Sequence, residues 1–333
     1  MGSEKSAPTQ TPRHAVAFPT GREADRRVAG VAAAARVVHD LAQSGAGEAW
    51  LAIGDGRRLA PATLDDIERL RGTMQVPIVA PGDVPSDIPL TPAPAMSATA
   101  ILRGTSKPSD GLVSRYFNRP ISQRISWAVL LIPGARPIHA TIAAALFALV
   151  MFWGMLEGGK TGLILGGILF HAASVIDGVD GEMARATFRA TDFGKTLDSA
   201  IDMATNFLFV LALTLHLGRH GPQYIHWLGF LSIGLMVTGA VLIGWRTRAG
   251  GAPLSFDMFK RSGPVRNFVD LVYWAVQTLT GRDVFAFLFM VLIIVGLGHV
   301  ALMIFASVGT LWFLYVLGSL LLPRPRPRFR GAA

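Results

Sequence analysis

The sequence predicts a mainly α-helical membrane protein. Six spanning helices form a bundle, preceded by an interfacial amphipathic helix and a small N-terminal cytoplasmic α/β domain. Three observations carry this expectation. Hydrophobic residues make up 51% of the 333 and charged residues only 16%, against about 25% charged in an average soluble domain. Residues 1–126 hold 15 Lys/Arg and 12 Asp/Glu, a soluble density, whereas 138–156, 161–176, 203–218, 220–245 and 284–323 hold none. Of the ten acidic residues after position 126, six fall between 177 and 202. There is no cysteine, which excludes disulfide frameworks, thiolate metal sites and Cys nucleophiles.

Residues 1–13 are polar and read as disordered, with no signal peptide. Residues 14–90 read as a β-α-β-α-β unit with a parallel sheet. Its strands are Ala15–Phe18, Ala49–Ile53 and Val76–Val79, and its helices Asp25–Gln43 and Thr63–Leu70. Gly54-Asp55-Gly56 lacks the further glycines of a phosphate loop and reads as a strand-to-helix turn. The unit resembles, faintly, a truncated nucleotidyltransferase domain; Phe18-Pro-Thr-Gly-Arg22 stands where that family's glycine-rich loop belongs, so the domain is expected to be inactive. The Pro-, Ala- and Ser-rich stretch 91–109 reads as a linker.

In 110–125, Val113, Tyr116, Phe117, Ile121 and Ile125 recur at helical spacing, opposite Ser114, Arg115, Asn118, Arg119, Ser122 and Gln123. That pattern fits a juxtamembrane helix lying on the bilayer, interrupted near Pro120. It acts as an anchor, or brings Arg115 or Arg119 to an anionic substrate.

The domain from 126 to 322 carries the spans, at 137–157, 161–186, 192–217, 223–246, 281–297 and 299–322. A crossing needs ~20 mainly apolar residues, so the 40-residue uncharged stretch 284–323 fits two spans joined at Gly296-Leu297-Gly298-His299. With the N-terminus cytoplasmic, one side carries 14 Lys/Arg and the other only Lys160 and Arg219. The positive-inside rule then puts both termini and the loop around 189 in the cytoplasm, with a bacterial inner membrane as the expected location. The Pro/Arg tail 323–333 reads as a topology anchor at anionic head groups, not a nucleic-acid element.

Acids within spans are costly and normally functional. Asp177 and Asp180 are i,i+3 at the end of the second span, and Asp198 and Asp202 are i,i+4 at the start of the third. Each pair shares a helix face, and the short return 186–193 lets the pairs face one another. Four facing carboxylates need cations. All-oxygen donors select Mg²⁺, Mn²⁺ or Ca²⁺, and two such ions can clamp a diphosphate. Gly181, Ala184 and Gly194 leave room for a ligand against helix backbone, and Arg185 follows as a phosphate-directed cation. Glu182 and Asp192 are expected to face the cytoplasm, and Phe285–Phe289 the lipid. Arg246, Arg266 and Arg282 lie on the same side as the acids. They fit either the topology rule or a pocket for a phosphorylated acceptor.

Asp177-x2-Asp180-Gly181-x2-Ala184-Arg185-x8-Gly194-x3-Asp198-x3-Asp202 resembles, at every position, the signature of the CDP-alcohol phosphotransferases. The resemblance covers roughly 110–322. It implies transfer of a phosphoryl-alcohol group, expected to be phosphatidyl from CDP-diacylglycerol, to an acceptor hydroxyl with release of CMP, in phospholipid biosynthesis. It also implies two Mg²⁺ or Mn²⁺ ions on Asp177, Asp180, Asp198 and Asp202, with Asp202 also the general base. Gly181, Ala184, Arg185, Gly194 and Thr141 would line the CDP pocket, in a homodimer. Many members carry Pro-Asn before this threonine, where Pro137-Ile138 stands here. Segment 107–122 is similar to members that carry an N-terminal nucleotidyltransferase-like domain, including enzymes joining CDP-inositol to inositol phosphate; inositol phosphate or glycerol phosphate is the expected acceptor. An intramembrane Mg²⁺-dependent prenyltransferase would show two separated Asp-rich motifs. A cation transporter would set its acids at the midplane on broken helices.

Overall fold

The computed structural model describes residues 12–107, 110–219, 221–248, 267 and 281–321. Residues 1–11, most of the 249–280 stretch with Lys260, Arg261 and Arg266, and the tail 323–333 lie outside the described residues. The chain divides into two compact units. One comprises the N-terminal residues through Thr105 with 127–135 and 185–188; the other holds the remainder.

The first unit contains β1 (Arg13–Phe18), α1 (Gly21–Asp25), β2 (Arg27–Val28), β3 (Val31–Ala32), α2 (Ala33–Gln43), β4 (Glu48–Ile53), α3 (Pro61–Leu70), β5 (Ile78–Val79), β6 (Leu90–Pro92) and α4 (Ala98–Gly104). Four strands make a parallel sheet in the order β5-β4-β1-β6, with Arg13 opposite Glu48 and Ala15 opposite Leu90. Parallel strands are covered on both faces; Val16, Phe18, Leu51 and Ile53 are buried on one face of this sheet, and Ala15 and Ala52 on the other. Ala33, Ala34, Ala35, Val37 and Val38 bury one stripe of α2 in the same core.

Three expectations change. The strand begins at Arg13, inside the stretch expected to be disordered, because its guanidinium pairs with Glu48 (2.7 Å) and Asp87 (2.9 Å). The helix expected from Asp25 starts only at Ala33. Before it, Ala29 (φ 46°) and Gly30 (φ 83°) close the β2–β3 hairpin, whose tight turn needs positive φ at both central residues. The stretch from 91 holds the end of β6 and all of α4. Three residues beside prolines carry almost no strand signal, yet Thr91 Oγ1 donates to the Ala15 carbonyl at 3.0 Å. Gly54-Asp55-Gly56 is a turn in which Asp55 accepts the Gly21 and Arg57 amides.

The second unit is helical. A π-turn (Ser114–Asn118) runs without a break into α5 (Arg119–Val129, whose last residues fall in the first unit), so Pro120 does not interrupt the helix. Its missing N–H is absorbed by the wider turn before it. Then come α6 (Pro137–Glu157), α7 (Gly159–Ala186), α8 (Asp192–Gly218), α9 (Tyr224–Arg248), α10 (Arg282–Ile294) and α11 (Gly298–Leu321). Five of these, α6 to α9 and α11, are long and apolar enough to cross a membrane, and the chain is an integral membrane protein. The sixth expected span corresponds to α10, whose 13 residues reach only ~20 Å. Gly296 (φ 83°) makes the turn from α10 to α11.

The helical core is aromatic at its centre: Phe170 of α7 stacks on Phe209 of α8 at 3.9 Å between centroids. Phe285 and Phe289 of α10, expected toward lipid, join this cluster, and Phe289 is 1% exposed. Glycine sets the closest helix contacts. A Cβ on Gly229 of α9 would run into Thr214 of α8, whereas one on Gly234 would meet nothing within 4 Å. Gly229→Ala should therefore destabilise the protein by ~1–3 kcal/mol through overpacking. Gly234→Ala should be neutral or stabilising by up to ~1 kcal/mol, the helix-propensity gain. Unfolding of both variants in one detergent checks the contrast.

Candidate active site

Each acidic pair is placed by its helix. Thr191 caps α8, its hydroxyl accepting the Gly194 amide at 3.0 Å. That fixes the start of the helix and hence the face on which Asp198 and Asp202 emerge. α7 ends at Ala186, so Asp177 and Asp180 lie in its last three turns. One carboxylate oxygen each from Asp177, Asp198 and Asp202 lies within 4.8 Å of the other two, and all three residues are half-buried. Such an all-carboxylate donor set fits Mg²⁺ or Mn²⁺. The Arg282 guanidinium at the start of α10 is hydrogen-bonded to Asp202 and lies 3.2 Å from Asp177.

Asp180, the fourth expected ligand, is 7% exposed and accepts the Thr141 hydroxyl at 2.6 Å. It stands outside the group of three, and Thr141, expected at the CDP pocket, is its hydrogen-bond donor. Gly181 and Ala184 are half-buried on α7, and Gly194 is exposed in the first turn of α8. A Cβ on Gly194 would meet only Thr191 Oγ1, at 3.1 Å. The Arg185 Nε donates to the Thr105 carbonyl at 2.8 Å. Of the arginines expected at an acceptor pocket, Arg282 contacts the carboxylate group, Arg246 lies in the last turn of α9, and Arg266 lies outside the described residues.

Glu182 does not face the cytoplasm. It is fully buried and accepts Ser122 Oγ (2.6 Å), Ser126 Oγ (2.7 Å) and Arg119 Nη1 (2.9 Å). Arg119 in turn makes a two-pronged pair with Asp110, both contacts 2.8 Å. Burial works against the Arg119 charge, but Asp110 and Glu182 outweigh it and raise its pKa. Burial likewise pushes Asp110 up, and Arg119 more than reverses this, holding the carboxyl below its ordinary range. An Arg119 so engaged is not a surface cation waiting for substrate. Asp283, the neighbour of Arg282, accepts the Ser114 amide at 2.6 Å. Arg119, Ser122 and Ser126 at i, i+3 and i+7 form one polar stripe. Arg119 and Ser122 lie on the polar face that the sequence predicts; Ser126, beyond that segment, and the partner on α7 are found only in the structure.

A family model described as CDP-alcohol phosphatidyltransferase matches residues 136–330. A "Bifunctional IPC transferase and DIPP synthase" of Aquifex aeolicus is 36% identical over 138 residues, 41% of this chain and 29% of the relative. A protein of the same name from Thermococcus kodakarensis is 30% identical over 184 residues, 55% of this chain and 39% of the relative. An "Archaetidylinositol phosphate synthase" of Methanothermobacter thermautotrophicus is 33% identical over 102 residues, 31% of this chain and 47% of the relative. The chain thus spans less than half the length of each of these relatives. The family match covers more than half of the chain, all six expected spans and every residue of the aspartate motif, and on that ground the protein belongs to the CDP-alcohol phosphatidyltransferase family.

Proposed function

We propose that the protein transfers the phosphatidyl group of CDP-diacylglycerol to a hydroxyl of a phosphorylated acceptor, inositol phosphate before glycerol phosphate, releasing CMP. The observation that carries this reading is the convergence of Asp177, Asp198 and Asp202 within 4.8 Å, at the spacing of the family motif. The name of the Methanothermobacter relative supports an inositol phosphate acceptor. Asp177, Asp180, Asp198 and Asp202 would hold two Mg²⁺ or Mn²⁺ ions. Bound there, the ions would neutralise the diphosphate and make its phosphorus more electrophilic. Gly181, Ala184 and Gly194 would admit the nucleotide against helix backbone, with Arg185 and Thr141 at its edge. The acceptor oxygen attacks phosphorus, its proton passes to Asp202, and the bond to CMP breaks. Arg246 and Arg266 would receive the acceptor phosphate; Arg282, hydrogen-bonded to Asp202 and 3.2 Å from Asp177, would offset the repulsion between these carboxylates.

The same reading places residues 281–297, which contain α10, as a sixth span, both termini and the carboxylates on the cytoplasmic side, and the protein as a homodimer in a bacterial inner membrane. The bundle follows a juxtamembrane helix at the bilayer surface, and the α/β domain before it is catalytically silent. Purified protein with CDP-diacylglycerol, CDP-inositol and other CDP-alcohols, each paired with several acceptors, should release CMP fastest with CDP-diacylglycerol and inositol phosphate. Turnover confined to another pair would reassign the substrates. The absence of CMP release with any pair would favour an ion-site or prenyl-transfer role.

Asp177→Asn and Asp198→Asn should each lower CMP release more than ~100-fold, beyond the loss of an outer-shell partner, and weaken Mn²⁺ binding measured by electron paramagnetic resonance. Near-normal turnover at saturating Mg²⁺ would remove these residues from the site. Asp202→Asn should keep CDP-alcohol affinity within a few-fold while kcat falls ~10²–10⁴-fold, the range of a lost general base. Calorimetric donor binding beside turnover separates this from a ligand role, in which affinity would fall as far as in Asp177→Asn. Arg266→Glu should raise the acceptor KM more than the donor KM; equal changes would leave that arginine a topological charge.

A further inference from the structure

We infer that Glu182 is a positioning residue of the transfer reaction and that α5, through it, is part of the catalytic apparatus. This rests on the reading of Asp177, Asp198 and Asp202 as a metal site. A helix turns ~100° per residue, so Glu182 sits ~140° round α7 from Asp177 and ~160° from Asp180. The acids of the motif and Glu182 therefore pull on opposite sides of one helix. On the far side the grip is complete: Ser122, Ser126 and Arg119 occupy both oxygens of a carboxylate that is 0% exposed, and Ser126 is itself 0% exposed. Gly178, between Asp177 and Asp180, lets α5 approach, since a Cβ there would meet Arg119 Nη1 at 3.2 Å and Ser122 Oγ at 3.4 Å. The start of the same segment is held from α10, where Asp283, next to Arg282, accepts the Ser114 amide.

A buried carboxylate with three donors on one rigid face resists rotation of α7 about its axis. The lever is short. A rotation of ~10° moves a carboxylate ~6 Å from the axis by ~1 Å. A misplacement of ~1 Å can cost ~100-fold in rate. The Tyr116, Phe117 and Ile121 side chains, 47–68% exposed, leave the opposite face of the segment free of this role.

Glu182→Ala takes the carboxylate from three donors, leaves the buried Ser126 hydroxyl without it and endangers folding. The deciding variant is Ser122→Ala/Ser126→Ala, which strips two donors and keeps the Arg119 pair. In the full chain in lipid nanodiscs, Mn²⁺ alone is titrated by electron paramagnetic resonance, and kcat and both KM values are measured by CMP release. The variant should bind Mn²⁺ at least ~5-fold more weakly and lose ~10-fold in kcat at saturating metal, a fraction of the full misplacement penalty, with each KM within twofold. A lower melting temperature with Mn²⁺ affinity and kcat within twofold of wild type would make the contact merely structural and overturn the inference alone. A wild-type protein that binds no Mn²⁺ would overturn the metal reading and the inference with it.

Discussion

Mutual repulsion among carboxylates at the ends of two apolar helices is the constraint on which the rest of the structure depends. Ionised acids in such a place are tolerated only with paired charge or hydrogen-bond donors. The chain meets this requirement in three ways. Asp180 takes a hydroxyl from Thr141 of α6. Glu182 takes two serine hydroxyls and one guanidinium from the juxtamembrane segment. Asp177 and Asp202 share Arg282 of α10, and Asp177, Asp198 and Asp202 together form the pocket suited to a divalent ion. The acids of α7 and α8 thus draw on α6, α5 and α10, so the site is built by most of the helical unit.

The division of labour on α7 follows from helical geometry. Residues three and four apart share a face, whereas residues two and five apart diverge. Asp177 and Asp180 serve one side, Glu182 the other, and Gly178 between them removes the side chain that would hold α5 away. The fixed acids of the motif thus mark one face of α7, while Gly178 and Glu182, at its unspecified positions, carry the contact with α5.

Much of this was legible in the sequence, for reasons that differ by element. Five spans are legible because apolar runs of 16 or more uncharged residues, extended by the motif acids in two of them, have few alternatives to a membrane. The sixth starts where expected but stops at Ile294, short of 297, because the turn at Gly296 (φ 83°) ends the helix inside an apolar run where hydropathy gives no sign of it. The motif acids were legible because their spacing is fixed by the helix. Glu182 reads as a solvated charge in the sequence because one acid in an amphipathic context carries no sign of burial; its serine and arginine partners lie 56–63 positions earlier. The short strand β6 and the β2–β3 hairpin were hidden because two or three residues carry no periodicity. Phe289 was assigned to lipid because, in an all-apolar helix, sequence does not distinguish the face toward neighbours from the face toward the bilayer.

Anomalous diffraction from crystals soaked in Mn²⁺ tests the central claim most directly. Two peaks held by Asp177, Asp198 and Asp202, with Asp180 on at least one, are the predicted result, and Arg282 should withdraw from Asp177 and Asp202 as they form. No peak at these carboxylates at saturating Mn²⁺, with Arg282 still lodged between them, would contradict a metal-dependent transferase site at this hairpin.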